Sequence, residues 1–156
     1  MADRYLLLYD AEGVLIKQTD AGEKTRTTGS WEAMSQLSGR TNAVQALVTA
    51  IPADDATVLM KEVTGLGLDR YLDMEIGGYG SADLAGLAAA VKERAAAKYG
   101  TEFTVVVVAG PAAVAEVARV ADAVVSTAES ARADGAKHVI KNLLELVQLV
   151  LENRVA

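Results

Sequence analysis

The chain has 156 residues, enough for one domain with a real core, and its 51% apolar content excludes global disorder. A formal net charge of −6 and only one Trp and one Phe argue against tight, metal-free binding to nucleic acid, which draws on basic stripes and exposed rings. The absence of Cys excludes disulfides, thiolate metal sites and a cysteine nucleophile, and the single His138 argues against a histidine-rich metal site or a Ser-His-Asp triad.

The predicted elements follow in chain order. Residues 5–10 form an apolar run of strand length that ends on Asp10. Ala11-Glu12-Gly13 reads as a tight turn, residues 14–19 as a second strand, Asp20-Ala21-Gly22 as another turn, and residues 24–28 as a polar third strand. Together they make a three-strand meander. Residues 29–39, with Trp31, Met34 and Leu37 at helical spacing, read as an insertion or short helix. Val44, Leu47, Val48 and Ile51 carry the spacing of an amphipathic helix over 41–51, closed by Pro52-Ala53-Asp54-Asp55. Residues 56–63 are mostly apolar and read as a buried fourth strand.

A short helix and a loop fill residues 66–76, and residues 77–80 make a glycine-rich turn. Ser81 is placed to cap a helix carrying Leu84, Leu87, Ala88 and Val91 and running to about Tyr99. Residues 101–109 contain FTVVVV, the strongest strand signal in the chain, broken by Gly110-Pro111. Val114, Val117, Ala118, Ala121, Val124, Val125 and Ala128 mark the apolar face of the next helix, and Gly135 ends it. A last helix is expected over 137–153. Its apolar residues, Ile140, Leu143, Leu144, Leu146, Val147, Leu149, Val150 and Leu151, cover more than one face. The expected organisation is a domain over 1–135 and a C-terminal helix over 136–156 that packs on that domain or on a partner, with homodimerisation through the helix preferred. The N-terminus has no basic region followed by a long apolar run, and no apolar stretch approaches the ~20 residues of a membrane helix, so a cytoplasmic location is the default.

Three meandering strands, a helix, a strand, helices, a strand and a helix form an order that resembles the ribonuclease H-like superfamily, most clearly from Ser81 onward through FTVVVVAG and RVADAVVSTA. The resemblance implies an α/β fold: a five-stranded mixed sheet, its first three strands antiparallel and the other two in α/β units, with helices on both faces and an extra C-terminal helix. It also implies a divalent-metal-dependent nuclease acting on phosphodiester bonds, with magnesium or manganese held by carboxylates. Asp10, Glu62 and Asp122 match the positions of those catalytic and metal-binding acids in a family with ribonuclease H and Holliday-junction resolvase branches. The chain departs from the pattern at Ala11, where a glycine commonly follows the first aspartate. It departs also at Gln45, at Arg119 and at Ala109-Gly110-Pro111-Ala112 in place of a histidine-bearing loop.

Two alternatives stand beside the nuclease. A degenerate ribonuclease H-like module that binds or assembles without catalysis accounts for the missing ligands and the acidic charge. A small nucleotide-binding α/β protein would use the turn at residues 77–81 to hold a phosphate at a helix N-terminus. Each residue also has a plain reading: Asp10 as a turn acid, Glu62 as an ion pair beside Lys61, Asp122 as a solvated helix residue, and His138 as a surface or packing residue.

Overall fold

A computed structural model describes residues 4–127, 132 and 134–156. The described residues are organised around YLLLY, strand β1 (Tyr5–Tyr9), in which all five side chains are buried. Both hydrogen-bonding edges of β1 are taken by parallel neighbours: β4 (Val44–Pro52) on one side and β6 (Thr104–Ala109) on the other. Strands covered on both faces need apolar side chains at nearly every position, and VQALVTAIP and TVVVVA supply them.

Beyond β4 lies the short β5 (Gly78–Gly80), and beyond β6 lie β7 (Ala123–Ser126) and β8 (His138–Val139). The spatial order is β5-β4-β1-β6-β7-β8, and every pairing in this sheet is parallel. The expected five-stranded mixed sheet of the ribonuclease H type is therefore incorrect. Strands β2 (Ile16–Gln18) and β3 (Lys24–Arg26) pair with each other as a separate antiparallel hairpin, outside the parallel sheet. They hold three residues each, mostly polar, and cannot compete for the edges of β1 with two long apolar strands.

Two neighbouring assignments exchange places. Residues 41–51, expected to be a helix, hold all of β4 but its last residue, and residues 56–63, expected to be the fourth strand, lie in helix α2 (Ala53–Gly65). Pro52 stands at the N-cap of α2, with Asp54 and Asp55 in its first turn, where acids meet the positive end of the helix dipole. Its buried residues, Ala56, Leu59 and Val63, fall on one stripe. Residues 29–39 do form a helix, α1 (Ser30–Arg40), burying Ala33, Met34 and Leu37.

Helix α3 (Leu84–Tyr99) stands as expected, but its cap is Asp83, whose carboxylate accepts from the Gly86 N–H. The long helix expected from Val114 stops after one turn, α4 (Val114–Val117), and the chain returns to the sheet as β7. Ala128, assigned to that helix, lies outside the described residues. The last helix is shorter than expected, α5 (Leu144–Leu151), because His138 and Val139 form the edge strand. Ile140, Leu143, Leu146, Val147 and Val150 are buried within the chain in the cluster that also holds Met34 and Leu37 of α1, whereas Leu144 stays 40% exposed.

Two cores result, one on each face of the sheet. Leu7 and Tyr9 share one with α1, α2 and α5; Leu6 and Leu8 share the other with α3 and α4. Burying each leucine contributes about 1.5–3 kcal/mol relative to leaving it in water. Gln45, matched from sequence to a helical carboxylate position, is a buried β4 residue: it accepts from the Tyr9 hydroxyl at 2.7 Å and donates to Met34 O at 3.0 Å.

Candidate functional site

The chain leaves β1 for β4 and β5 on one side of the sheet, then returns to place β6, β7 and β8 on the other. The order reverses between β1 and β6. In open α/β sheets, ligands bind in the crevice beyond the carboxyl ends of the strands at such a reversal. Asp10 stands there, one residue past β1, its N–H donating to Val108 O of β6 at 3.1 Å.

The Asp10 carboxylate is held from the β4 side. Thr49 donates its hydroxyl to Asp10 Oδ1 at 2.8 Å, and the backbone of Ala11 also bonds to it. The pKa of Asp10 is nonetheless raised: burial dominates, the two hydrogen bonds oppose it, and the like charge of Glu12 adds to it. Among the described residues, no cation is among the causes that set its pKa.

The following turn explains the local sequence. The N–H groups of Leu15 and Ile16 converge on Ala11 O at 3.0 and 2.9 Å, and Gly13 takes φ +81°, which favours glycine. Glu12 faces outward to Lys24 of β3, Nζ to Oε1 2.5 Å. A cavity of about 240 Å³ opens beside this turn, walled by Ile51, Val58 and Leu59, with Thr49, Glu12, Asp55 and Glu62 also lining it.

The three acids proposed from sequence do not meet. Asp10 and Glu62 share the carboxyl edge, with Glu62 lining the cavity from α2 rather than from a strand. Asp122 stands at the amino edge, just before β7 and not on a helix. Its N–H donates to Val105 O at 2.9 Å, and its Oδ2 accepts the Val105 N–H at 2.7 Å. Val105 and Val108, the β6 partners of Asp122 and Asp10, lie three residues apart, about 10 Å along the strand. Thr49 was missed because residues 41–51 were read as a helix; a hydroxyl near the end of a strand beside the central one is the signal that would have found it.

The glycine-rich turn has a packing explanation. A Cβ at Gly78 would stand 2.8 Å from Val91 Cγ2 and 3.1 Å from Leu87 O, so glycine lets α3 lie against β5. At the start of α3, the Leu84 and Ala85 N–H groups already donate to Glu116 Oε1 at 3.0 and 3.4 Å.

No family model and no curated protein sequence matches the chain. Solved structures do match. The cobalt-bound form of deoxy-D-mannose-octulosonate 8-phosphate phosphatase from Haemophilus influenzae aligns over 98% of this chain and 90% of its own, with TM-score 0.65 and 11% identity. The 3-deoxy-D-manno-octulosonate 8-phosphate phosphatase from Moraxella catarrhalis, in complex with magnesium, phosphate and KDO, aligns over 94% and 85%, with TM-score 0.60 and 15% identity. The enzyme of that name from Yersinia pestis aligns over 98% and 83%, with TM-score 0.59 and 16% identity.

These likenesses define the fold: a HAD-like α/β sheet with a small antiparallel hairpin inserted after its first strand. The ribonuclease H-like assignment is thereby corrected, and with it the nuclease reading that rested on it; the three solved proteins named above are phosphatases. The magnesium and cobalt in two of them are divalent ions of the class expected from the acids.

The residues present do not fit a protein-held magnesium ion. Magnesium takes near-octahedral oxygen ligation, usually from one or two carboxylates completed by waters and substrate phosphate, so Asp10 would need a second side-chain oxygen close by. Among the described residues, no group of three or more His, Asp or Glu side chains is placed to hold a metal. The strand across the reversal from Asp10 ends in Ala109-Gly110-Pro111, which offers no side-chain oxygen, and Glu12 is already paired with Lys24. Among the described residues, no helix is long and apolar enough to cross a membrane.

Proposed function

We propose that the chain is a small-molecule binding module on a HAD-like scaffold, working without a resident metal and without metal-dependent hydrolysis. The observation that carries this reading is the mismatch at the reversal point. The crevice, the central carboxylate and its hydroxyl partner are present, but the end of β6 is bare of ligands. A phosphate dianion in the cavity beside Asp10 would meet Glu12, Asp55 and Glu62, of which Glu12 is paired with Lys24, and like charges repel.

A second reading, hydrolysis of a phosphomonoester, is favoured by Asp10 itself. A carboxylate is a competent covalent nucleophile, and this one sits at the reversal point with Thr49 orienting it. Turnover of 4-nitrophenyl phosphate and of 3-deoxy-octulosonate 8-phosphate, with millimolar magnesium, cobalt or manganese, separates the two. The binding reading expects no release of phosphate above an Asp10→Asn control. Metal-dependent release that Asp10→Asn abolishes would establish the hydrolase and overturn it.

A further inference from the structure

The turn that follows Asp10 divides the carboxyl edge into two basins. Ala11 and Glu12 line the cavity beside Asp10, while the next two residues, Gly13 and Val14, line a second cavity of about 270 Å³. The two differ in charge. The first has three acids in its lining. The second has none among the described residues and instead gathers Lys17, Lys141, Thr27, Thr28, Thr127 and Asn142. In a chain of net charge −6, this concentration of donors runs against the average.

Its parts come from four segments that the fold brings to one edge. Lys17 is carried by β2, Thr27 and Thr28 follow β3, Thr127 follows β7, and Lys141 and Asn142 follow β8. The carboxyl ends of β7 and β8 therefore open onto it, in the position where open α/β sheets take ligands. Neither lysine has an ion pair or a side-chain hydrogen bond among the described residues. Among the described carboxylates, Glu145 accepts from the Lys141 backbone N–H, and Glu12 is paired with Lys24. Asn142 uses Oδ1 to accept from the Leu144 N–H at 2.9 Å, which leaves its amide N–H groups as donors. Thr27 donates to Val14 O at 2.6 Å and keeps its acceptor side, while Thr28 and Thr127 are exposed hydroxyls with no bond to another described residue.

We infer that this second cavity is an anion subsite, and that its ligand is a small molecule bearing a phosphate group, held by Lys17 and Lys141 with the threonine hydroxyls and the Asn142 amide. Two ammonium groups and several neutral donors match a dianion with several acceptor oxygens, and they do so without a metal. This rests on the binding reading above for its biological sense, but the site itself depends on neither Asp10 nor a divalent ion. The cavity is larger than a phosphate group, so the organic part of an ester has room beside it.

Backbone amide NMR in EDTA, at constant ionic strength, tests the assignment with inorganic phosphate and ribose 5-phosphate as probes. Both are expected to give saturable shifts at Gly13, Thr28 and Thr127, with the ester binding more tightly. The double variant Lys17→Gln/Lys141→Gln should weaken both by at least ~10-fold. Lys92→Gln, an exposed lysine on α3 that lines neither cavity, should bind as the parent does. Because both subsite lysines are exposed, the double variant should keep the parent's spectrum away from the cavity. No saturable shift up to ~50 mM, or undiminished binding by the double variant, would overturn the subsite. Hydrolysis of the ester on adding magnesium would end the metal-free reading but leave the lysine comparison to decide the subsite on its own.

Discussion

The two edges of the parallel sheet use the same residue type for opposite ends. At the amino edge, Asp122 accepts the Val105 N–H at 2.7 Å, and Asp73 accepts from Lys98 Nζ at 2.8 Å and from the Tyr99 hydroxyl at 2.6 Å. Burial alone would raise the pKa of Asp73, but those bonds outweigh it and hold the carboxyl below its usual range. At the carboxyl edge, Asp10 has Thr49 and a backbone bond, and burial wins, so its pKa is raised. Carboxylates whose charge the fold satisfies brace the scaffold. One whose charge it leaves partly uncompensated in a crevice is the candidate for binding or chemistry.

The largest effect should come from the amino edge. Asp122→Ala strands the Val105 N–H and removes a charge-assisted bond, so urea unfolding should show a loss of about 2 kcal/mol with an unchanged m-value. Next, Asp73→Asn should lower stability at pH 7 by about 1 kcal/mol. Its native pKa is depressed, so its contribution is present above the unfolded value near ~3.9 and is lost as pH falls through the native one. The variant's deficit should therefore shrink in acid.

Asp10 carries the opposite sign. Its native pKa is raised, so its ionised form is a penalty that appears as pH rises through the unfolded and then the native value. Asp10→Asn should stabilise the protein at pH 7 by less than ~1 kcal/mol, and the gain should vanish below about pH 4. A destabilised Asp10→Asn protein at pH 7 would erase the contrast between the edges.

The smallest effect belongs to Ser126. Its hydroxyl, at the end of β7, is buried without a partner among the described residues. Ser126→Ala should be neutral or stabilising by ~0.5–1 kcal/mol in thermal unfolding, whereas a clear loss would mean the hydroxyl has a use that the described contacts do not show.

How much of this was legible in the sequence depends on local signals. FTVVVV had no competing interpretation, and α3 carried a clean apolar stripe. Residues 44–52 and 53–65 exchanged roles because a strand buried on both faces is apolar everywhere, including at helical spacing. The discriminating residues were Pro52, Asp54 and Asp55: they open α2, although they read equally well as closing a helix before it. Asp10 was legible as an acid ending a buried strand. Asp122 was not, since ADAVVS supports either an Ala-rich helix or a short strand, and only the parallel pairing of β7 with β6 places it at the far edge. The second basin was invisible, because its two lysines are 124 positions apart in sequence and meet only through the order of the strands.

The central claim is that the crevice over Asp10 has no metal centre, and paramagnetic relaxation tests it most directly. Manganese titrated into the labelled protein should broaden the Ala11 and Glu12 amide signals no more than those beside exposed carboxylates elsewhere, and equally in Asp10→Asn. Saturable loss of the Ala11 and Glu12 signals in the parent, absent from Asp10→Asn, would place a divalent ion at Asp10 and contradict the account.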